Sequence, residues 1–170
     1  MTAAPTIAVL MGVSGVGKTT VGRLLAAELG WDFIEGDDLH PAANVAKLRR
    51  GEALDDADRA PWLEALRRRI DQLVAAGRSA AITCSALRRT YRDVLAAGRP
   101  EVVFVWLDAP AERIAARLRE RVGHFMPASL LASQLATLEA PGEAVRVDAT
   151  QPQAEIVTAI RRALGVAADA

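Results

Sequence analysis

Apolar residues fall in short unbroken runs, separated by longer segments of helical periodicity. Ile7-Ala8-Val9-Leu10-Met11 has no polar alternation, which predicts a strand buried on both faces. Val21, Leu24, Leu25 and Leu29 then recur at helical spacing, and Gly30 supplies a stop. Trp31-Asp32-Phe33-Ile34 predicts a short second strand, and Asn44 to Arg50 a short helix ended by Gly51. Leu63, Leu66, Ile70, Leu73 and Val74 give the apolar face of a long helix running to about Ala76, with Asp55, Asp56 and Asp58 capping its start. Gly77-Arg78 turns the chain into Ser79 to Cys84, a third strand of small apolar residues. Glu101 to Leu107 is the strongest strand signal. A helix opens at Asp108-Ala109-Pro110, Gly123-His124-Phe125-Met126-Pro127 breaks it, and a short helix covers about Ala128 to Leu138. Ala144 to Val147 is the fifth strand, and a closing helix carries Ile156, Ile160 and Leu164. Strands and helices alternate throughout. That order predicts an α/β fold, with a parallel sheet of about five strands and helices on both faces.

Composition narrows this picture. A chain of 170 residues predicts a single domain over 1–170, and 51% hydrophobic with 4% aromatic residues suits an Ala/Leu/Val-rich core. Equal numbers of basic and acidic residues, 21 of each, give no global reason for a nucleic-acid or membrane partner. One cysteine, Cys84, excludes an internal disulfide framework and fits a reducing compartment. No basic-then-apolar leader and no run of transmembrane length is present, so a cytoplasmic protein is expected.

The candidate chemistry begins at Gly12-Val13-Ser14-Gly15-Val16-Gly17-Lys18-Thr19, followed by Thr20. This is G-x-x-x-x-G-K-[ST], the phosphate-binding loop pattern, set between a strand and a helix as its chemistry requires. Glycines let the backbone curl so that several N–H groups face one anion. Lys18 can reach the β- and γ-phosphates of a nucleotide, and the Thr19 hydroxyl can ligate Mg²⁺. In a parallel sheet, ligand groups gather at the carboxyl ends of strands. Asp37 and Asp38 follow strand two, where either could orient a hydroxyl, accept its proton or hold Mg²⁺ through water. One of them could instead cap the next helix, and His40 is a ligand contact or a satisfied turn histidine. Arg59 stands at a helix start, where a cation invites an anionic partner or a surface ion pair. Arg88 and Arg92, four apart, would share a helix face and suit a carboxylate or phosphate clamp. Arg113, Arg117 and Arg121 line one face ahead of the glycine break, so the helix–break–helix of about 117–138 predicts a lid. Cys84 is expected to be a core residue.

These segments resemble the gluconate kinase (gluconokinase) family, small P-loop kinases of the nucleoside-monophosphate-kinase-like fold. The resemblance rests on the phosphate loop, Gly36-Asp37-Asp38-Leu39-His40-Pro41, Asn44 with Lys47, Gly51-Glu52, Leu54 through Leu63, Cys84-Ser85-Ala86-Leu87 with Tyr91-Arg92-Asp93, and Gly123-His124-Phe125. It spans roughly residues 7 to 150. Arg88 stands where relatives often carry Lys, and Thr19 where many carry Ser; both keep the chemistry.

The resemblance implies ATP-dependent phosphorylation of D-gluconate on its 6-hydroxyl, strand order 2-3-1-4-5, a mobile lid and a homodimer. It also implies roles. The loop amides of residues 12–20 and Lys18 hold the ATP phosphates, Thr19 binds Mg²⁺, and Asp37 orients or deprotonates the 6-hydroxyl. Arg117 and Arg121 close over the γ-phosphate. Arg59, Arg88 and Arg92, with His40, Lys47 and His124, recognise gluconate. The nearest rival is a kinase for shikimate or a nucleoside monophosphate, against which the His40-Pro41 turn and the Cys84-to-Leu87 segment argue. A nucleotide-dependent switch would carry a guanine-reading Asn-Lys-x-Asp segment, and none occurs.

Overall fold

The structure is a computed structural model and describes residues 3–121 and 130–167. The order is β1 (Ile7–Met11), α1 (Lys18–Leu29), β2 (Asp32–Glu35), a 3₁₀ turn (Gly36–Leu39), α2 (Ala42–Arg49), α3 (Asp56–Ala75), β3 (Ala80–Thr83), α4 (Arg89–Ala96), β4 (Val102–Asp108), α5 (Ala111–Glu120), α6 (Leu131–Thr137), β5 (Val145–Asp148) and α7 (Gln153–Leu164). The strands pair in parallel in the order β2-β3-β1-β4-β5. This is the order that the resemblance implied.

Strand β1 lies in the middle, with Ile7 in register with Ala80 on one side and Val102 on the other. All five of its residues are buried, and alternate ones enter different cores. Ala8 and Leu10 pack with Val21 and Leu25 of α1 and with Ile156 and Ile160 of α7. Ile7, Val9 and Met11 pack with Trp62, Leu66 and Ile70 of α3 and with Leu95 of α4. A two-sided strand gains apolar burial in both directions, at about 1.5–3 kcal/mol per large side chain. That is why its sequence shows no alternation.

Several boundaries differ from the sequence reading, each for a hydrogen-bonding reason. The Trp31 N–H donates to Ala26 O at 2.9 Å, so Trp31 closes α1 and β2 begins at Asp32. Glu35 joins β2 because it pairs in register with Thr83, which ends β3 and leaves Cys84 to the following turn. Arg88 is extended and offers its carbonyl to the N–H groups of Tyr91 and Arg92, so it precedes α4 instead of sharing a face with Arg92. The capping acids of α3 behave as expected: Asp55 accepts from Asp58 N at 2.7 Å, and the Asp58 carboxylate accepts from Asp55 N at 2.9 Å. Helix α5 ends at Glu120, with Arg121 extended beyond it. The sequence-predicted break at Gly123 to Pro127, including His124, lies outside the described residues.

Candidate active site

The phosphate loop leaves the carboxyl end of β1. Gly12, Gly15 and Gly17 take φ of 139°, 86° and 108°, a left-handed curl that aims successive N–H groups to one side. A Cβ on Gly12 would also lie 2.8 Å from Leu107 O of β4. Three side chains brace the loop. Lys18 Nζ donates to Gly12 O and Val13 O at 2.9 and 3.0 Å. Arg117 of α5 donates to Val16 O and Ala149 O at 3.0 and 2.9 Å. Gln134 of α6 accepts from Ser14 N at 2.7 Å.

Cavities flank the loop. The outer one, about 300 Å³, is lined by Gly15, Val16, Gly17, Thr20, Arg117, Arg121, Ala149, Gln151 and Ile156. The inner one is tighter, about 40 Å³, and is lined by Ser14, Lys18, Asp37, His40, Arg59, Trp62, Ser85 and Gln134, with Leu48, Leu54 and Leu87. Leu48 and Leu54 form a small apolar cluster with Leu130, apart from both main cores. A larger cavity of about 630 Å³, with Arg89, Arg92, Phe104 and Glu139 in its wall, contains no phosphate-loop residue.

Between loop and sheet edge, Thr19 Oγ1 donates to Glu35 Oε2 at 2.5 Å, and the Thr83 hydroxyl donates to Glu35 Oε1. Thr83 Oγ1 in turn accepts from Gly36 N at 3.0 Å. A Cβ on Gly36 would lie 1.8 Å from Thr83 O, so only glycine lets the chain turn here and carry Asp37 over the sheet edge. The Trp62 indole N–H secures the turn from α3, donating to Gly36 O at 2.8 Å. Burial holds the Lys18 ammonium below the ordinary lysine range, opposed by the negative charges of Asp37 and Glu35 and reinforced by Arg121.

On the far wall, the His40 ring stacks on Trp62 with centroids 4.0 Å apart. Burial, and then the Arg59 guanidinium, push the His40 pKa down to about 4, so the ring is neutral at pH 7. Arg59 lies over the Tyr91 ring, 5.3 Å from its centroid, and donates to the Tyr91 hydroxyl at 3.0 Å; that hydroxyl donates to Asp56. Among the described residues Arg59 makes no ion pair, and it lines the inner cavity.

The structure brings Lys18, Asp37, His40 and Arg59 together and separates others from them. Arg92 lies apart from them. Its guanidinium donates to Ala86 O at 2.7 Å and Glu139 O at 3.1 Å, and it lines the 630 Å³ cavity. Ala86 has φ of 46°, so Arg92 secures a left-handed turn. Arg88 is 43% exposed and sits 3.6 Å from Asp56, so the expected Arg88–Arg92 pair does not form. Lys47 pairs with the Asp58 carboxylate at 2.6 Å and does not line the inner cavity. Arg117 braces Val16 and Ala149 beside the outer cavity, where Arg121 and Thr20 also lie, so Arg117 is not poised over the inner one. Asp38 is exposed. Cys84 is buried with its thiol pushed up to about 12 by burial, which removes it as a nucleophile. Glu35, Asn44, Trp62 and Gln134 were given no role by sequence. For Glu35 the signal was available, a carboxylate at the carboxyl end of a strand; for Gln134 there was none.

Comparison with known proteins agrees with this geometry. A family model described as an AAA domain matches residues 7–141. A gluconokinase of Gluconobacter oxydans is 55% identical over 82% of this chain and 78% of its own. The thermosensitive gluconokinase of Escherichia coli is 46% identical over 92% and 86%. A solved gluconokinase structure from Sinorhizobium meliloti superposes with a TM-score of 0.84 at 44% identity, covering 95% of this chain and 93% of the other. The chain belongs to the gluconokinase family. It is a P-loop kinase, a nucleotide-binding transferase. Shikimate kinase from Aquifex aeolicus, at 18% identity and a TM-score of 0.66, shares the fold alone, covering 95% of this chain and 96% of its own. In this gluconokinase-family chain, the phosphate loop contributes to a roomy cavity and to a small one. Among the described residues, no helix is long and apolar enough to cross a membrane.

Proposed function

We propose that the chain phosphorylates D-gluconate on its 6-hydroxyl with ATP, giving 6-phospho-D-gluconate and ADP. The observation that carries this is the inner cavity, where Lys18 and Asp37 meet Arg59 and His40 beside the phosphate loop. The nucleotide occupies the outer cavity, with Arg117 and Arg121 along its edge, and its phosphates follow the loop amides of residues 12–20. Lys18 exchanges its two loop carbonyls for phosphate oxygens. The acceptor oxygen attacks the γ-phosphorus, the bond to the β–γ bridging oxygen breaks, and Asp37 orients the hydroxyl and takes its proton. The transition state of phosphoryl transfer is loose, so alignment and charge neutralisation outweigh base strength.

Thr19 and Glu35 set a hydroxyl and a carboxylate side by side. These are hard oxygen donors that fit Mg²⁺, and with Asp37 they would hold it directly or through water. When bound, the ion supplies neutralisation of phosphate charge. Arg59 and the neutral His40 face the acid end and hydroxyls of gluconate, and a guanidinium–carboxylate contact distinguishes the acid from a neutral sugar. His124 is kept as a further acceptor contact on the strength of the family motif alone. A homodimer and a cytoplasmic location complete this reading, which involves neither nucleic acid nor membrane; sedimentation equilibrium reads the dimer.

Arg59→Ala is expected to raise the gluconate KM on the order of 10- to 100-fold, the value of a lost charged hydrogen bond, with the ATP KM unchanged. A change confined to the ATP KM would move Arg59 to the nucleotide site. The reaction itself is tested by ADP release from Mg-ATP with D-gluconate, run beside shikimate, glucose, AMP and no acceptor. Stimulation by gluconate alone is the expected result; stimulation by shikimate or AMP alone overturns the substrate assignment.

A further inference from the structure

His40 lines the inner cavity, and the residue that decides which of its ring nitrogens carries the proton is Asn44. Asn44 is buried at 4% exposure on α2. Its side-chain nitrogen lies 2.8 Å from the backbone carbonyl of Asp58 and 3.2 Å from His40 Nδ1. A backbone carbonyl only accepts, so the nitrogen of the amide must face Asp58. That settles the orientation of the carboxamide by chemistry. The same NH₂ group has a second hydrogen, and Nδ1 is its partner. Nδ1 must therefore accept, and the single proton of a neutral imidazole sits on Nε2.

We propose that Asn44 is a positioning residue that fixes His40 as the Nε2–H tautomer, so that His40 serves as an uncharged hydrogen-bond donor to an oxygen of the acceptor acid. The naming of the acceptor rests on the function proposed above; the tautomer does not. Trp62 covers one ring face and Asn44 holds the Nδ1 edge, so Nε2 is the ring nitrogen left to serve the cavity that His40 lines. The charged groups on the other walls are Arg59 from α3, Asp37 from the 3₁₀ turn and Lys18 from α1, while Ser85 and Gln134 are neutral. Arg59 is the charge that opposes an imidazolium most directly. A neutral donor beside it adds directionality toward a carboxylate or hydroxyl oxygen without a second positive charge.

The chain has two histidines, His40 and His124, so a long-range ¹H–¹⁵N spectrum of the imidazoles is readily assigned with His40→Gln. The wild-type protein without substrate is expected to show the Nε2–H pattern for His40 at neutral pH, unchanged down to about pH 5. Asn44→Asp replaces the donor with a carboxylate that accepts from Nδ1. It should place a proton on Nδ1, raise the His40 titration midpoint, and raise the gluconate KM about tenfold with the ATP KM within about twofold. His40→Gln, which keeps a neutral N–H, should retain more gluconate affinity than His40→Phe, which keeps only the ring on Trp62. An Nδ1–H signal in the wild type overturns the proposal whether or not any variant folds, as does an Asn44→Asp protein with unchanged tautomer and KM. The spectrum needs no substrate. A wrong acceptor would therefore silence the KM measurement and still leave the tautomer answered.

Discussion

Lys18→Ala lowers turnover with ATP and gluconate by on the order of 10²-fold or more, through lost stabilisation of charge on the transferring phosphoryl group. The fold should survive. The loop keeps its Arg117 brace at Val16 and its Gln134 contact at Ser14, neither of which passes through Lys18. The alanine leaves Gly12 O and Val13 O without their ammonium donor. Removing a buried cation beside Asp37 and Glu35 also changes the charge of the site in the absence of nucleotide. Steady-state ADP release gives the rate, and a thermal melt confirms that the protein is folded. Turnover close to wild type would take Lys18 out of the mechanism.

Asp37→Asn has the second large effect, a fall in kcat of about 10²-fold, the low end of what loss of a general base costs, because a loose transition state asks little of base strength. The substitution preserves shape and can still orient a hydroxyl, but it cannot accept a proton at neutral pH. The turn that carries residue 37 is held by Trp62 on Gly36 O and by Thr83 on Gly36 N, so the backbone stays in place. The gluconate KM should change much less than kcat. A kcat reduced by less than tenfold would leave Asp37 as an orienting group and assign the proton to another acceptor.

The sheet and its helices were legible because burial on two faces leaves unbroken apolar runs, as at Ile7 to Met11, and because α3 repeats Leu63, Leu66, Ile70 and Leu73 at helical spacing. The phosphate loop was legible because glycine at positions 12, 15 and 17 answers a backbone need that no other residue meets as well. The arginines were not. A guanidinium satisfies a ligand or a backbone carbonyl with the same geometry, and spacing does not distinguish the two. Arg92 is drawn to Ala86 O by a left-handed alanine that no sequence pattern announces. Arg117 is drawn to Val16 O and Ala149 O by a loop that meets it only after folding. Gln134 escaped for the converse reason. Gln134 acquires its partner Ser14 from 120 residues away, whereas Glu35 sat at the carboxyl end of a strand where its role was readable, and its bond to Thr83 of a neighbouring strand was not.

The inner cavity, at about 40 Å³, has room for a few water molecules, and a six-carbon acid needs several times that space. Leu48 and Leu54 line it and cluster with Leu130, at exposures of 3%, 8% and 5%. Admission of the acid requires this wall to part, which wets leucines whose burial contributes about 1.5–3 kcal/mol each. The acid therefore binds a form scarcer than the closed one. Its measured affinity is a product of two equilibria, parting and docking. A substitution among the three leucines therefore alters how tightly the acid is held without touching one polar contact to it.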